Sequence, residues 1–223
     1  MKRLSTFNEI LPEFFDLKGK TVLDIGCAGG ELVRWMSLQG AIVIGIDLPE
    51  MIAQAEKINI TGDEKYLIGT AQDFSFDENM ADLVVYMASF HHVPEKEMPK
   101  ALENCYSALK NKGHAIFIEP LAENDSYYDL TRLVEEETEI REKAFEFIME
   151  AGKTIFWQVN ESYYYVERTF QDFLNLLERF VNDENQREKI IEQAKNIIIR
   201  KNKEPDQIRF KSKVRINILQ KTD

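Results

Sequence analysis

A glycine-rich turn between a predicted strand and a predicted helix constrains this chain more than any other feature. It occupies residues 24–30, which read Asp-Ile-Gly-Cys-Ala-Gly-Gly. Val22, Leu23 and Ile25 form a short apolar run at its start, which is typical of a strand buried on both faces. Glycines permit a tight turn and let another molecule approach the backbone closely. Apolar residues at helical spacing follow in 32–38, so the helix start presents free N–H groups to a ligand.

This turn departs from the G-x-G-x-x-G fingerprint of dinucleotide-binding folds. Ala28 stands at the second glycine and Glu31 at the third, so the residues that allow close pyrophosphate approach are missing. An acid, Asp24, precedes the first glycine, where its charge would repel a pyrophosphate and suit a cationic ligand. A nicotinamide-dependent oxidoreductase is therefore disfavoured, although it stays a possible interpretation.

Residues 24–30 resemble the first motif of the class I methyltransferases, which use S-adenosylmethionine, a cofactor with a sulfonium charge and no phosphate. The motif is acid-x-Gly-x-Gly-x-Gly, and Ala28 replaces its middle glycine. The resemblance implies that the cofactor contacts Asp24, Gly26, Cys27, Ala28, Gly29 and Gly30. An ordinary strand-to-helix turn with a buried acid is the alternative interpretation.

A second apolar run, residues 41–46, ends at Asp47 and predicts a second parallel strand. A carboxylate at the carboxyl end of such a strand can accept hydrogen bonds from both hydroxyls of a ribose. The resemblance implies this role for Asp47, with the helix that begins at Leu48 lying under the adenine. A dehydrogenase would carry an acid here too, so Asp47 indicates a nucleoside but not the chemistry.

The turn after a short third strand, residues 66–68, is the next candidate contact. The resemblance implies that Asp73 accepts a hydrogen bond from the adenine amino group, with Gln72 and Phe74 beside it. The alternative is a loop aspartate that caps the following segment. Met87, at the end of the fourth strand, completes the predicted cofactor contacts.

The fourth strand, residues 82–87, is followed by Ala-Ser-Phe-His-His-Val-Pro. Methyltransferases that act on exocyclic amines of DNA or on protein glutamine carry Asn/Asp-Pro-Pro-Tyr/Phe here, so this segment resembles the branch that methylates small molecules. His91 and His92 would lie at the methyl-transfer end of the sheet, as would Glu119 at the end of the fifth strand. Histidine titrates near neutral pH, which suits proton abstraction. His91, His92 and the neighbouring Glu119 are therefore the candidates for deprotonating or orienting the acceptor. Purely structural roles are the alternative, and no pattern indicates a metal site.

Composition restricts the partners. The chain has 223 residues, 28 basic and 39 acidic, with a net charge of −11, which disfavours broad binding to nucleic acid or to an anionic membrane. Two cysteines favour a reducing compartment, and neither a signal peptide nor a transmembrane run is recognisable. We therefore expect a cytoplasmic monomer or homodimer whose partner is a small-molecule acceptor.

Alternating strands and helices predict the fold class. A leading helix at 6–16 and five strands within 120 residues predict a Rossmann-like α/β fold, a mainly parallel seven-stranded sheet with helices on both faces. Residues 1–120 would form the cofactor-binding core and 121–166 a helical and aromatic insertion after strand five. Residues 167–223 would complete the core with two helices and a half-exposed final strand.

The insertion is predicted to act as a substrate lid, because family members often carry one after strand five. It would begin with one long acidic helix, residues 125–150, and end in an aromatic stretch. Aromatic faces suit a sulfonium or an amine. The candidate acceptor-pocket residues are Tyr127, Tyr128, Trp157 and Tyr164, with core packing as the alternative for each.

Together these patterns favour methyl transfer from S-adenosylmethionine to an oxygen, nitrogen or carbon atom of a small molecule. A non-catalytic subunit is the second hypothesis, in which the cofactor site persists and the acidic insertion serves a partner protein. The oxidoreductase is the third.

Overall fold

The computed structural model describes residues 2–4, 7–59, 62–74, 76–121, 127–200 and 208–222. Its strands are β1 (Lys2–Leu4), β2 (Thr21–Ile25), β3 (Ile42–Asp47), β4 (Glu64–Ile68), β5 (Ala81–Met87), β6 (Leu109–Pro120), β7 (Phe156–Arg168) and β8 (Phe210–Lys221). Its α-helices are α1 (Leu11–Phe14), α2 (Glu31–Leu38), α3 (Pro49–Ala55), α4 (Met98–Ala108), α5 (Tyr128–Thr131), α6 (Thr138–Thr154), α7 (Phe170–Phe180) and α8 (Glu184–Arg200). Short 3-10 helices lie at Phe7–Ile10, Phe90–His92 and Glu95–Glu97.

The eight strands of the described residues form one sheet in the order β1-β7-β8-β6-β5-β2-β3-β4. Strands β2 to β6 are mutually parallel, which confirms the parallel core predicted from the alternating strands and helices. The chain runs from β2 outwards to β4 and then returns to β5 on the other side of β2. Ligands of such sheets bind at this switch point, beyond the carboxyl ends of the strands. The glycine turn and the histidine segment both lie there.

The sheet has one strand more than the seven predicted. The additional strand is β1, which pairs in parallel with β7 at the sheet edge. Three residues are too few to show an alternating pattern, so the sequence gives no sign of this strand. Residue 6 of the predicted leading helix lies outside the described residues, and the rest of that helix is a 3-10 turn followed by α1.

Strand β8 is buried, and not half-exposed as its alternating sequence predicted. It pairs antiparallel with β6 on one side and with β7 on the other, so it has no free edge. Its polar residues Arg215 and Asn217 are buried as well. The guanidinium carbon of Arg215 lies 3.2 Å from the centre of the Phe145 ring, and its Nε donates to Asn217 Oδ1. The polar residues that alternate along β8 are typical of an exposed face. Arg215 and Asn217 are instead buried and bond to each other inside the protein.

The prediction of one continuous helix over residues 125–150 is wrong, because the structure has two helices there. Residues 122–126 lie outside the described part, and 132–137 separate α5 from α6. The Tyr128 hydroxyl donates to Glu136 Oε1 at 2.8 Å and accepts from the Glu137 N–H at 3.2 Å. These bonds hold the connection in a non-helical path.

The predicted lid range, 121–166, divides in the structure. Residues 156–166 belong to β7, inside the sheet and paired along their length with β8. The helices α5 and α6 make up the described remainder. The lid predicted for 121–166 therefore stays a prediction for α5 and α6, because residues 156–166 are fixed in the sheet.

Alternate residues of the strands face two different cores. One core joins Leu23, Val84 and Phe117 to α4 and α6, and the other joins Val22, Val85 and further strand residues to α2 and the amino-terminal helices. A third cluster lies among α5, α7 and α8. Helix α7 starts with a capping box, in which Thr169 Oγ1 accepts from the Asp172 N–H and Asp172 Oδ2 accepts from the Thr169 N–H. Within the described ranges, every helix is too short or too polar to cross a membrane.

Candidate functional site

The glycine turn is closed against the segment that follows β5. Gly26 has φ +79°, and a Cβ built on it would lie 2.4 Å from Ser89 Cβ. The Ser89 hydroxyl donates to the Ile25 carbonyl at 2.6 Å, so this serine is fixed beside the turn. Only glycine suits both the left-handed backbone and the space at Gly26. Gly29 differs, because a Cβ there would meet no atom within 4 Å and would enter open space.

Asp47 holds the backbone of the turn. Its Oδ2 accepts from the Ala28 N–H at 2.6 Å and its Oδ1 accepts from the Leu48 N–H at 2.7 Å. Ala28 has φ +48°, in the left-handed region that the family's middle glycine adopts without strain. The Asp47 bond therefore helps to stabilise an alanine in a conformation that favours glycine.

Asp24 is a buried carboxyl group at the floor of the site. Its residue is 1% exposed, and among the described residues neither of its oxygens has a hydrogen-bond partner. Burial, together with the nearby charge of Asp47, raises the pKa of Asp24 from 3.8 to about 7. A carboxyl group with this pKa is poised to ionise when a cation binds next to it.

Arg34 and Tyr66 hold the turn in place, and the sequence analysis missed both. Arg34 Nη2 donates to the Gly29 carbonyl at 2.8 Å, and Nη1 donates to the Tyr66 hydroxyl at 3.2 Å. Tyr66 also fills the space beside Gly30, where a Cβ would lie 2.6 Å from its hydroxyl oxygen. No local pattern marks an arginine inside a helix or a tyrosine inside a strand as a partner of this turn.

Two cavities meet at Gly26. The glycine-turn cavity has a volume of about 580 Å³ and the Asp47 cavity about 320 Å³. Of the predicted cofactor contacts, the first is lined by Asp24, Gly26, Cys27, Ala28, Gly29 and Met87, and the second by Gly26, Asp47, Leu48 and Gln72. The two cavities together form an elongated site along the carboxyl ends of β2, β3 and β5.

Three of the predicted cofactor residues do not line these cavities. Asp73 is exposed, and its Oδ2 accepts from the Thr70 hydroxyl at 2.8 Å, so it has the loop-capping contact that was its alternative interpretation. Phe74 is buried in the core below the site. Gly30 supports the turn, because Tyr66 occupies the space beside it.

Glu119 joins the histidine segment to the sheet. Its Oε1 accepts from the N–H groups of Ser89 at 3.3 Å and Phe90 at 2.9 Å, at the start of a 3-10 helix. Its Oε2 bonds to Nδ1 of His91, whose side chain is 3% exposed. Glu119 therefore caps the 3-10 helix and orients His91 at the same time.

A further acid, Glu137, approaches both histidines and was not identified from the sequence. Its Oε1 lies 3.8 Å from His91 Nε2 and 3.8 Å from His92 Nδ1, and its Oε2 accepts from Arg141 at 2.5 Å. Burial, and the neighbouring His91, lower the pKa of His92. Glu137 is one of three consecutive glutamates, a run that reads as a solvated helix face.

The histidines border a third cavity, the histidine cavity, of about 210 Å³. His92 lines this cavity and the Asp47 cavity, so the two are neighbours. Tyr127 and Tyr128, two of the candidate acceptor-pocket residues, also line it. The remaining lining comes from Ala88, the end of α5, the connection between α5 and α6 that includes Glu137, α6, α7 and the ends of β6 and β8.

The other two predicted acceptor residues lie elsewhere. Trp157 pairs with Gln220 near the amino end of β6, at the opposite edge of the sheet, and is 69% exposed. Tyr164 lies in β7 and donates its hydroxyl hydrogen to Glu13 Oε2 at 3.1 Å. The aromatic stretch gave no sign of its strand direction, which is why its two ends were assigned to one pocket.

Comparison with known proteins locates the match in the parallel core. Residues 23–117 match the family described as "Methyltransferase domain". The chain is 30% identical over 124 residues to the ubiquinone biosynthesis O-methyltransferase of Coxiella burnetii (strain Dugway 5J108-111), covering 52% of each protein. The chain thus spans about half the length of the curated relatives that it matches.

Solved structures resemble the chain over nearly its whole length. The YcgJ protein from Bacillus subtilis superposes with a TM-score of 0.68 at 18% identity, covering 97% of this chain and 98% of that one. Haemonchus contortus phosphoethanolamine N-methyltransferase 2, solved with phosphomonomethylethanolamine and S-adenosylhomocysteine, gives a TM-score of 0.59 at 16% identity, covering 97% and 53%. At these identities the likeness shows a common fold. The family match covers the glycine turn and the Asp47 strand end, so the part of the chain that forms the two cavities is similar to a methyltransferase domain.

Proposed function

We propose that this chain transfers a methyl group from S-adenosylmethionine to an oxygen, nitrogen or carbon atom of a small-molecule acceptor. The observation that carries the proposal is the elongated site formed where the glycine-turn and Asp47 cavities meet at Gly26. One end offers acceptors for a nucleoside and the other a buried carboxyl group for a cation. The chain spans only about half of its curated relatives, so their activity supports this proposal without establishing it.

The residues of the glycine-turn cavity, around Asp24, fit the positively charged amino-acid part of this cofactor. Asp24 lines the glycine-turn cavity, and its two oxygens have no hydrogen-bond partner among the described residues. An ionised carboxylate buried without a partner is costly, and a ligand cation would offset that cost. Gly29 leaves open space beside the backbone, which suits close approach of a ligand.

The residues at the other end fit adenosine. Each Asp47 oxygen accepts one backbone N–H and retains a lone pair with which to accept a ribose hydroxyl. Gln72 lines the Asp47 cavity and has both a donor and an acceptor for the adenine edge. Gln72 replaces Asp73 in our proposal, because Asp73 is exposed and bonded to its own loop.

When bound, S-adenosylmethionine supplies an electrophilic methyl group on a positively charged sulfur. The chain's contribution is to align the acceptor and to exclude water from the reacting atoms. We place the acceptor between Met87 and the histidine cavity, which adjoins the cofactor site through His92. Glu119 bonds to His91 Nδ1 and leaves Nε2 with a lone pair that is able to take a proton from an acceptor hydroxyl or amine.

Acceptor size and location are also part of the proposal. The histidine cavity of about 210 Å³ suits a small molecule, and α5 and α6 would form the lid over it. The net charge of −11 disfavours nucleic acid and anionic membranes as partners. Both cysteines are free, which favours a cytoplasmic location.

The first test is isothermal titration of the purified chain with S-adenosylmethionine, S-adenosylhomocysteine and NADH. We expect micromolar affinity for both adenosyl ligands and none for NADH. Asp47→Ala should abolish adenosyl binding, and Asp73→Ala is its matched control, since this exposed carboxylate should leave the affinity within about twofold of the parent. Circular dichroism of each variant shows whether the fold is retained.

The second test is turnover. Incubation with S-adenosylmethionine labelled on its methyl group and a panel of small phenols, amines and carboxylates should transfer label to at least one acceptor. A preference for NADH over both adenosyl ligands would reject the proposal in favour of the oxidoreductase. Tight adenosyl binding without transfer to any acceptor would favour the non-catalytic subunit.

A further inference from the structure

Three side chains converge at the edge of the histidine cavity without a hydrogen bond between them. His91 Nε2 and His92 Nδ1 each lie 3.8 Å from Glu137 Oε1, and the three atoms lie within 4.8 Å of one another. Two imidazole nitrogens and one carboxylate oxygen are a donor set that binds zinc and related first-row cations in proteins. We propose that His91, His92 and Glu137 bind one divalent transition-metal ion of the zinc class.

The contact on the far side of His91 supports this proposal. His91 Nδ1 bonds to Glu119 Oε2, and both side chains are buried. Metal-binding histidines usually donate their second ring N–H to a carboxylate or a carbonyl in this way. In the neutral tautomer that donates from Nδ1 to Glu119, the lone pair of Nε2 faces the Glu137 carboxylate. A lone pair and an anionic oxygen repel each other, and a cation between them turns this repulsion into attraction.

Glu137 is also positioned as a ligand. Its Oε2 is held by Arg141 at 2.5 Å, which leaves Oε1 directed at the histidines. The Arg141 guanidinium in turn lies over the Tyr128 ring, 4.7 Å from its centre. The Glu137 side chain is 12% exposed, so little water competes for the carboxylate. Charge pairing on one oxygen and an open second oxygen are what a monodentate ligand requires.

The distances are close to those of a bound ion. Zinc bonds of 2.0–2.2 Å in tetrahedral geometry separate the ligand atoms by about 3.4 Å. Each histidine nitrogen must therefore approach the Glu137 oxygen by roughly 0.4 Å from its present 3.8 Å. The two histidine nitrogens lie within 4.8 Å of each other and must also close to about 3.4 Å. His92 is 58% exposed and has room to turn, whereas His91 is fixed by Glu119. Binding thus requires a small movement of the more exposed ligand.

Three protein ligands leave a coordination position open, as in catalytic metal sites. Both histidines and Glu137 line the histidine cavity, so the open position would face the space that we assign to the acceptor. An acceptor oxygen bound there would lose its proton more readily, since a divalent cation lowers the pKa of a bound hydroxyl. With the metal bound, this effect would replace proton transfer to His91 Nε2, because the ion occupies the lone pair of that nitrogen. Metal binding itself is independent of the proposed function, but its use in binding the acceptor rests on that function.

The test uses the full chain after dialysis against a chelator. We expect Zn²⁺ to bind by isothermal titration with one ion per chain, and Co²⁺ to give the visible absorption of a nitrogen- and oxygen-bound ion. His92→Ala and Glu137→Gln should each weaken binding by at least about tenfold. His114→Ala is the matched control, because the third histidine lies in the middle of β6 against Phe15, away from Glu137, and its replacement should leave the affinity unchanged.

Three outcomes would overturn the metal site: no Zn²⁺ binding by the parent chain, unchanged affinity in both ligand variants, or loss of binding in the His114 variant alone. Circular dichroism of Glu137→Gln, and its titration with S-adenosylmethionine, separate lost ligation from lost fold. Metal binding by a chain that does not bind S-adenosylmethionine would reject the proposed function and leave the metal site standing. Adenosyl binding without metal binding would do the reverse.

Discussion

At the scale of single residues, Asp24 links the stability of the fold to ligand binding. Its carboxyl group is buried, has no hydrogen-bond partner among the described residues and has a pKa raised to about 7 by burial. The unfolded chain, in which Asp24 has an ordinary pKa of 3.8, holds this proton less tightly than the folded chain does. The contribution of Asp24 to the free energy of unfolding is therefore fully present below pH 3.8, and it is lost as the pH rises through about 7.

Replacing this group should change how stability depends on pH. In Asp24→Asn nothing ionises at position 24, so this source of pH dependence is absent. Between pH 5.5 and pH 8 the free energy of unfolding of the parent should therefore fall by about 2 kcal/mol relative to that of the variant. Urea denaturation of both proteins at the two pH values measures this difference, in which other titrating groups largely cancel. Asp73→Asn, at an exposed carboxylate, should show no such difference. Equal pH dependence of Asp24→Asn and the parent would contradict the raised pKa.

The same substitution at two glycines of the turn should lower the stability of the fold at one position and leave it nearly unchanged at the other. Gly26→Ala places a methyl group 2.4 Å from Ser89 Cβ on a left-handed backbone, so we expect a loss of unfolding free energy of about 2 kcal/mol or more. Gly29→Ala meets no atom within 4 Å and should unfold within about 0.5 kcal/mol of the parent. Its methyl group nevertheless enters the glycine-turn cavity and should weaken S-adenosylmethionine binding. Thermal unfolding and titration of both variants test the pair, and equal stability of the two would contradict it.

Residues that act within one stretch of chain were the ones accessible from the sequence. Gly26 and Asp47 follow buried strands directly, so strand direction alone brings both to the same edge of the sheet. Glu137, Arg34 and Tyr66 reach the site from other elements, and only tertiary packing brings them there. Asp73 matched the family by position but bonds within its own loop instead.

At the scale of elements, helix α7 depends on its first turn. The Thr169 and Asp172 side chains satisfy each other's backbone N–H groups, and the helix then buries Phe170, Phe173 and Leu177 in the third cluster. This helix carries part of the lining of the glycine-turn and histidine cavities. Its amino-terminal cap therefore stabilises the wall shared by both sites.

Removal of the cap should be measurable. Thr169→Ala deletes the side-chain acceptor for the Asp172 N–H and should lower the free energy of unfolding by about 1 kcal/mol. Gln171→Ala is the control in the same turn. Gln171 is exposed and its side-chain amide donates to Asn175 Oδ1, so this variant should stay within about 0.5 kcal/mol of the parent. Chemical denaturation of the three proteins provides the comparison. Equal effects of the two substitutions would mean that the cap contributes nothing specific.

Elements were predictable where periodicity was long and regular. The spacing of Phe170, Phe173, Leu177 and their neighbours matches the observed helix α7. The break between α5 and α6 was not predictable, since it arises from hydrogen bonds that Tyr128 makes with Glu136 and Glu137. Periodicity reports which face is buried and gives no information on such bonds.

At the scale of the whole molecule, β8 connects the two halves of the sheet. It is the only described strand that pairs with both β6 and β7, and its Ile216, Ile218 and Leu219 are buried. Strand β1 differs, because it lies at the edge and pairs with one neighbour only. The sequence identified β8 as a strand, but its alternating pattern could not indicate a position between two others.

Truncation at the two ends should therefore have unequal effects. A chain ended before Phe210 lacks the strand that joins β7 to β6, so we expect no cooperative thermal transition. Removal of residues 2–4 takes away only an edge strand and should leave a cooperative transition at a lower temperature. Circular dichroism on heating distinguishes the two variants. A cooperative transition in the chain that lacks β8 would show that the remaining strands form a stable unit without it.

The position of β8 also determines the order in which the sheet assembles during translation. The ribosome delivers β8 after both of its neighbours, although it lies between them. Until then β6 exposes an edge of unpaired N–H and C=O groups, and such edges pair readily with the wrong strand. β7 runs in the same direction as β6. A newly made chain must therefore avoid pairing β7 directly with the edge of β6 that β8 occupies in the folded protein. We therefore expect the hydrogen bonds of β8 with β6 and β7 to form after both of these strands have been synthesised.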